Sequence, residues 1–326
     1  MRLKTIVVFC ILLLIAACTS ERYDPKTYSY LPVEKEEAPA TEVISSLESE
    51  STAPIEGITV VRKDYFVTNP TSSKKIDVSV FQPENNSQLY PGVILVPGGT
   101  GSKKDFLKPY SRETSASIAE TFAAKGFTVL LFSAEGRGDS DGEEDYNGYV
   151  AQDGLYELYR FLLAYENVNM DNIGIVSYSY GIALASGMLG RYQPHLQYYI
   201  EWEGPVNRWY VTFECQGASP GKPGSFSCDD EDYWLEREAL RFVPYFDIEH
   251  FVIVQTEKNH GGPTVRHSVE MNTLALQYLD WVRVNGPKNY INQEYTPETL
   301  PVLSESVSYH DEILSYMTEF SLAEKG

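Results

Sequence analysis

GIVSYSYGIALASG, residues Gly174 to Gly187, passes from a short apolar run through two serines and a glycine into a helical pattern of small residues. Strand, sharp turn and helix in that order lift a serine hydroxyl above the C-terminal edge of a sheet, with a helix N-terminus beneath it. The turn brings strand and helix backbones together, so the residues two before and two after the raised serine must be small. Ser179 meets that demand with Ser177 and Gly181, whereas Ser177 would have Ile175 and Ser179, and the branched Ile175 would crowd the turn. Ser179 is the candidate nucleophile.

On both sides of this stretch, strand-like and helix-like patterns alternate. GITVVRKDYFVT (57–68) and KKIDVSVFQP (74–83) have the alternation and β-branched content of an antiparallel pair. PGVILVPGG (91–99) and FTVLLFS (127–133) are continuous apolar runs, the signature of strands buried on both faces. Between them SRETSASIAETFAAKG has helical spacing, with Ser111 as its N-cap and Gly126 as its stop. A helix around GYVAQDGLYELYRFLLAYE, the strand NIGIVS, a helix from Tyr180 and the strand LQYYIEWEG continue the rhythm. It breaks between residues 205 and 246, where Trp209, Tyr210, Phe213, Tyr233 and Trp234 sit among glycines and charges, as in a cap over the sheet edge. HFVIVQTE resumes it, followed by a long helical pattern over residues 264–285 and a last helix over about 308–322. The expected architecture is α/β: a mostly parallel central sheet with helices on both faces.

Arg2 and Lys4 precede an apolar run from Ile6 to Ala17, too short to cross a bilayer comfortably and built like a secretory signal. Its end, Ile15-Ala16-Ala17-Cys18, resembles the lipobox of bacterial lipoproteins, which implies that Cys18 carries the lipid and that the chain is exported and anchored to a membrane face. Residues 19–56 are rich in Glu, Ser, Thr, Pro and Ala without apolar periodicity, the composition of a flexible acidic spacer. The expected domains are therefore a signal at 1–18, a linker at 19–56 and a folded domain at 57–326. Of four cysteines, only Cys215 and Cys228 fall in that domain. An oxidising compartment favours a disulfide between them over a metal pair, since no nearby histidine completes a ligand set. A net charge of −20 argues against nucleic acid as a partner.

Ser177-Tyr178-Ser179-Tyr180-Gly181 resembles the nucleophile elbow of the α/β-hydrolase superfamily, with serine in place of the usual first glycine. VILVPGGTGS (93–102) resembles that family's oxyanion loop, whose donors would be an amide at Gly99 or Thr100 together with the amide of Tyr180. LFSAEGRGDSDGEEDYNG (131–148) resembles the D-x-R-G-x-G-x-S-x-G loop of dienelactone hydrolase-like, prolyl oligopeptidase-like and Xaa-Pro peptidase-like members. That resemblance gives Arg137, behind Glu135, a supporting role.

The resemblance implies a serine hydrolase acting on an ester or amide of a small molecule or peptide, through an acyl-enzyme and without metal or organic cofactor. The competing readings are a serine exopeptidase or oligopeptidase and a non-catalytic lipoprotein that uses the scaffold for binding. A serine needs an imidazole to take its proton and usually a carboxylate behind that imidazole. Of His195, His250, His260, His267 and His310, the family's chain order favours His310 as base over His260, while His267 falls inside a helical pattern. The family's acid position is held by Asn259, which can orient an imidazole but lends it no charge. Glu257 and Glu203 are the alternative acids.

Overall fold

The computed structural model describes residues 33–37, 43–84, 87–211, 228–260, 265–286 and 290–322. The signal segment with Cys18, and Cys215 of the expected disulfide, lie outside them. Among the described residues no helix is long and apolar enough to cross a membrane.

Among the described residues nine strands form one mixed sheet: β1 (Ser45–Ile55), β2 (Ile58–Thr68), β3 (Lys75–Pro83), β4 (Tyr90–Val96), β5 (Thr128–Ser133), β6 (Val168–Tyr178), β7 (Tyr198–Trp202), β8 (Phe251–Val254) and β9 (Val282–Val284). Their spatial order is β1-β2-β3-β5-β4-β6-β7-β8-β9. Strands β4 to β9 run parallel, and β1, β2 and β3 form an antiparallel ribbon joined through the β3–β5 pair. Strands β4, β5 and β8 are buried along their whole length, as continuous apolar runs require.

The helices are α1 (Ile118–Ala124), α2 (Tyr149–Leu163), α3 (Gly181–Tyr192), α4 (Arg208–Val211), α5 (Glu231–Leu235), α6 (Ala239–Phe242), α7 (Arg266–Tyr278) and α8 (Tyr309–Ser321). One face of the sheet packs on α1 and α8, where Phe122, Ile313, Tyr316 and Met317 meet Val93, Leu131, Val176, Ile200 and Val252. The other face, reached by the alternate residues of each strand, carries α2 and α3; Gly92 of β4 lies there against Leu162 of α2.

Four segments differ from the sequence expectation. Residues 45–55, assigned by composition to the spacer, are strand β1, almost wholly exposed and held by its ladder to β2 through a Glu56-Gly57 turn with positive φ at both residues. A strand that buries so little leaves no apolar periodicity to detect. Residues 33–37 are also attached to the domain, with the Glu36 amide donating to the Arg191 carbonyl at 2.7 Å.

Helix α1 is capped by Ser117, not Ser111: Ser117 and Glu120 form a reciprocal capping box, while Ser111 Oγ accepts from the Glu113 amide. Finally, the long helical pattern at 264–285 divides into α7 and strand β9, because Leu279 turns extended (φ −114°, ψ 140°) before Val282-Arg283-Val284.

Candidate active site

Ser179 sits between β6 and α3 with φ +50°, in the left-handed region that a serine occupies only under constraint. Its amide donates to the Trp202 carbonyl at the end of β7 (2.8 Å), and its carbonyl accepts from the Ile182 amide (3.0 Å). Close approach is enforced on both sides. A Cβ on Gly181 would lie 2.6 Å from the Pro97 carbonyl oxygen, and one on Gly98 would lie 2.8 Å from Ser179 Cβ. Ser177 is fully buried and its hydroxyl is paired with that of Tyr199 at 2.9 Å. It is spent on the core, while the half-buried Ser179 hydroxyl has no hydrogen-bond partner among the described residues.

Beside the elbow, the turn after β4 closes through a Gly101 amide to Gly98 carbonyl bond of 2.8 Å and places Gly99 at φ +53°. Among the described residues no group accepts from the amides of Gly99, Thr100 or Tyr180. Three unspent donors beside a raised serine are what an oxyanion needs.

Arg137 holds this arrangement from behind. Its guanidinium grips both Glu144 oxygens (2.6 and 2.7 Å) and donates to Asn147 Oδ1 (2.9 Å), whose amide nitrogen donates to the Tyr180 carbonyl (2.8 Å). Glu135 binds Asn69 and Ser72. Both residues support the elbow without reaching the serine hydroxyl.

The described part of the cap meets the elbow at Tyr180, whose hydroxyl is buried with Tyr233 as a neighbour and its pKa raised well above the usual value by that burial. Trp234 is buried inside the cap, Tyr210 donates to Glu270 of α7, and Trp209 is half-buried with its amide donating to Asn207. Phe213 lies outside the described residues. Arg208 pins Glu231 and Glu238 together, and Arg237 binds Asp145 and the Tyr146 carbonyl.

His310, in the first turn of α8, packs its ring against Tyr178, the residue before Ser179 (6.0 Å between centroids), and against Tyr110 (5.8 Å) and Tyr309 (4.2 Å). Burial lowers its pKa to about 4, opposed by the charge of Asp311, so the imidazole is neutral and able to accept a proton near neutral pH. His260 is exposed and stacks on the face of Trp202 (5.0 Å), whose other face carries Tyr309 (4.2 Å). No hydrogen bond joins either ring to Ser179, a common state of unliganded sites.

Two of the three acid candidates are committed elsewhere, and the third is exposed. Asn259 does orient an imidazole, that of His267 (2.9 Å to Nε2), a wholly buried ring whose pKa burial lowers to about 4. Glu203, buried and at φ +47°, accepts from the amides of Thr256 and His260 (both 2.5 Å), from Gln255 Nε2 (2.9 Å) and from the Thr256 hydroxyl. It clamps the turn that carries His260. Glu257 is exposed. His195 pairs with Asp247 on the surface, and His250 stacks on Phe320.

Sequence reasoning missed Trp202, Tyr110, Asp311 and the buried Glu201. Asp311 had a signal in its adjacency to His310; the others had none.

The strand order, the strained serine between β6 and α3, and the glycine turn after β4 together define the α/β-hydrolase fold, and this chain has it. The solved structures it resembles include the acetyl xylan esterase of a Paenibacillus species (TM-score 0.58, 12% identity, 86% of this chain and 90% of that one). Others are an S-formylglutathione hydrolase from Agrobacterium tumefaciens (0.53, 12%, 84% and 99%) and dipeptidyl peptidase 4 of Porphyromonas gingivalis (0.50, 12%, 84% and 36%). At such identities the likeness is one of fold. No protein family and no curated protein matches the sequence.

Proposed function

We propose that this chain is a serine hydrolase that cleaves a carboxylic ester through an acyl-enzyme on Ser179. Ser179 Oγ attacks the carbonyl carbon as His310 takes its proton. The amides of Tyr180 and of Gly99 or Thr100 receive the oxyanion, and the proton passes to the leaving alkoxide. Water, deprotonated by the same imidazole, then releases the acyl group as a carboxylic acid. The observation that carries this reading is Ser179 itself, at positive φ with a free hydroxyl beside unspent amides. An amide or peptide substrate uses the same steps with an amine as leaving group.

The test is covalent labelling of the protein by a fluorophosphonate. Labelling is expected in the native protein and in Ser177→Ala, and is expected to disappear in Ser179→Ala. An unlabelled native protein would instead support the binding role, which the commitment of Asn259 to His267 favours.

We further propose that the enzyme is exported and lipid-anchored through Cys18, with Cys215 and Cys228 forming a disulfide in the cap. The support is the segment Ile15 to Cys18 and the cysteine distribution. Expressed in a bacterium that lipidates such sequences, the native chain should partition into detergent and incorporate labelled palmitate. A Cys18→Ala chain that did so equally would remove this assignment.

A further inference from the structure

The base in this site lacks a hydrogen-bonded acid. Asn259 serves His267, Glu203 is saturated by four donors, and Glu257 is exposed. Two observations converge on another carboxylate. Asp311 follows His310 in the first turn of α8, and its Oδ1 accepts a hydrogen bond from the hydroxyl of Tyr110. The ring of that same Tyr110 packs on the His310 imidazole. Tyr110 also belongs to the loop that follows the oxyanion turn, where its amide is bonded to the Ala116 carbonyl (2.8 Å) and Pro109 is bridged to Ser117. One side chain therefore ties the oxyanion side of the site to the helix that carries the base, and fixes a carboxylate beside that base.

We propose that Asp311 supplies the negative charge that stabilises the His310 imidazolium during attack, and that Tyr110 positions it. The inference rests on the serine-hydrolase reading above. The proton moves only between Ser179, His310 and the leaving group. The titratable groups facing His310 are Tyr110, Tyr178 and Tyr309, together with Asp311. The three tyrosines are neutral at working pH, because burial raises each of their pKa values. The carboxylate is thus the charge that the imidazolium meets.

Asp311 also stands in the first turn of a helix, where its amide is capped by Ser308 Oγ (3.4 Å) and a negative charge favours the helix. The experiment must separate these roles. Asp311→Asn keeps an acceptor for Tyr110 and removes the charge, and Asp311→Glu keeps the charge. With a soluble activated ester, Asp311→Asn is expected to lower kcat about fivefold with KM little changed, the scale of an exposed charge held beside its partner. It is also expected to move the acid limb of kcat/KM to lower pH, since the imidazolium loses its stabilising neighbour.

Asp311→Glu should restore most of both effects, and about 1 M salt should shrink the difference between the native enzyme and Asp311→Asn. Native rates and an unmoved acid limb in Asp311→Asn would overturn the proposal, as would a loss that Asp311→Glu does not rescue. If the native protein reacts with a fluorophosphonate while Asp311→Asn is indistinguishable from it, this inference fails and the serine-hydrolase reading stands. A native protein that does not react fails both.

Discussion

His310→Gln is expected to lower kcat/KM by about a thousandfold or more at neutral pH, while His260→Gln lowers it by less than about tenfold. The asymmetry follows from placement. The His310 ring lies against Tyr178, one residue from the nucleophile, whereas the His260 ring lies on Trp202 and is exposed. Glutamine roughly preserves the volume between Tyr110, Tyr178 and Tyr309, so circular dichroism and thermal unfolding should stay near native. The loss can then be read as the loss of a proton acceptor.

A second signature belongs to the same prediction. With the His310 pKa lowered to about 4 by burial, the base is deprotonated above that value and protonated below it. The acid limb of kcat/KM, which reports the free enzyme, should therefore fall near pH 4, well below the ordinary histidine range near 6.5. Initial rates across pH for the two glutamine variants decide the matter. A silent His310→Gln beside a crippled His260→Gln would transfer the role of base to His260.

The raised serine was legible in the sequence because the elbow is a local object. Backbones that approach as closely as Gly181 and Pro97 demand small residues at fixed offsets from Ser179, all within five positions. The parallel strands were legible for a related reason, since β4 and β8 are buried on both faces and read as unbroken apolar runs. Strand β1 was not, because a solvated edge strand is held by backbone hydrogen bonds that any polar sequence can make. Strand β9 was hidden because Leu279 to Val284 continues the apolar spacing of α7, and only the extended backbone at Leu279 separates the two.

The environment of His310 was the least legible part. Tyr110 and Asp311 are 201 positions apart, and nothing local to either announces their bond. Asn259 could be read as an imidazole partner, but which imidazole it meets depends on α7 bringing His267 to it in the folded chain.

Stability against urea is expected to be flat or gently declining from about pH 4.5 to 6.5 and to fall by about 2 kcal/mol between pH 6.5 and 8. Burial raises the Glu201 pKa to about 8, with the Gly204 amide opposing and the Glu203 charge adding; burial raises Glu270 to about 7. Each keeps its proton in the folded chain after the unfolded chain, near 4.5, has lost it. Their stabilising contribution is complete below pH 4.5 and is lost as pH climbs to 7 and 8.

His267 and His310, lowered to about 4, work in the other direction. The unfolded chain takes up protons there below about 6.5, so the stability they contribute is lost as pH falls towards 4. Between 4.5 and 6.5 two buried acids oppose two buried histidines. Asp145 and Glu157, also raised by burial, tilt that interval slightly downward.

Above 6.5 the unfolded chain gives up the rest of its histidine protons, which offsets under about 1 kcal/mol, while the acids work against stability, each costing about 1.4 kcal/mol per pH unit until it ionises. Glu201 spans most of that interval. In Glu201→Gln the fall from pH 6.5 to 8 should shrink to under about 1 kcal/mol, the share left to Glu270. Glu201 Oε2 accepts from Gly204 (3.1 Å), and a Cβ on Gly204 would lie 2.8 Å from the Ser179 carbonyl oxygen, so the buried acid lies directly behind the elbow. Expelling its proton should consequently loosen the nucleophile's support as well as the fold, and the rate of fluorophosphonate labelling should decline over the same interval in the native protein but not in Glu201→Gln. Equal falls in stability in the two proteins would mean that another group carries the alkaline loss.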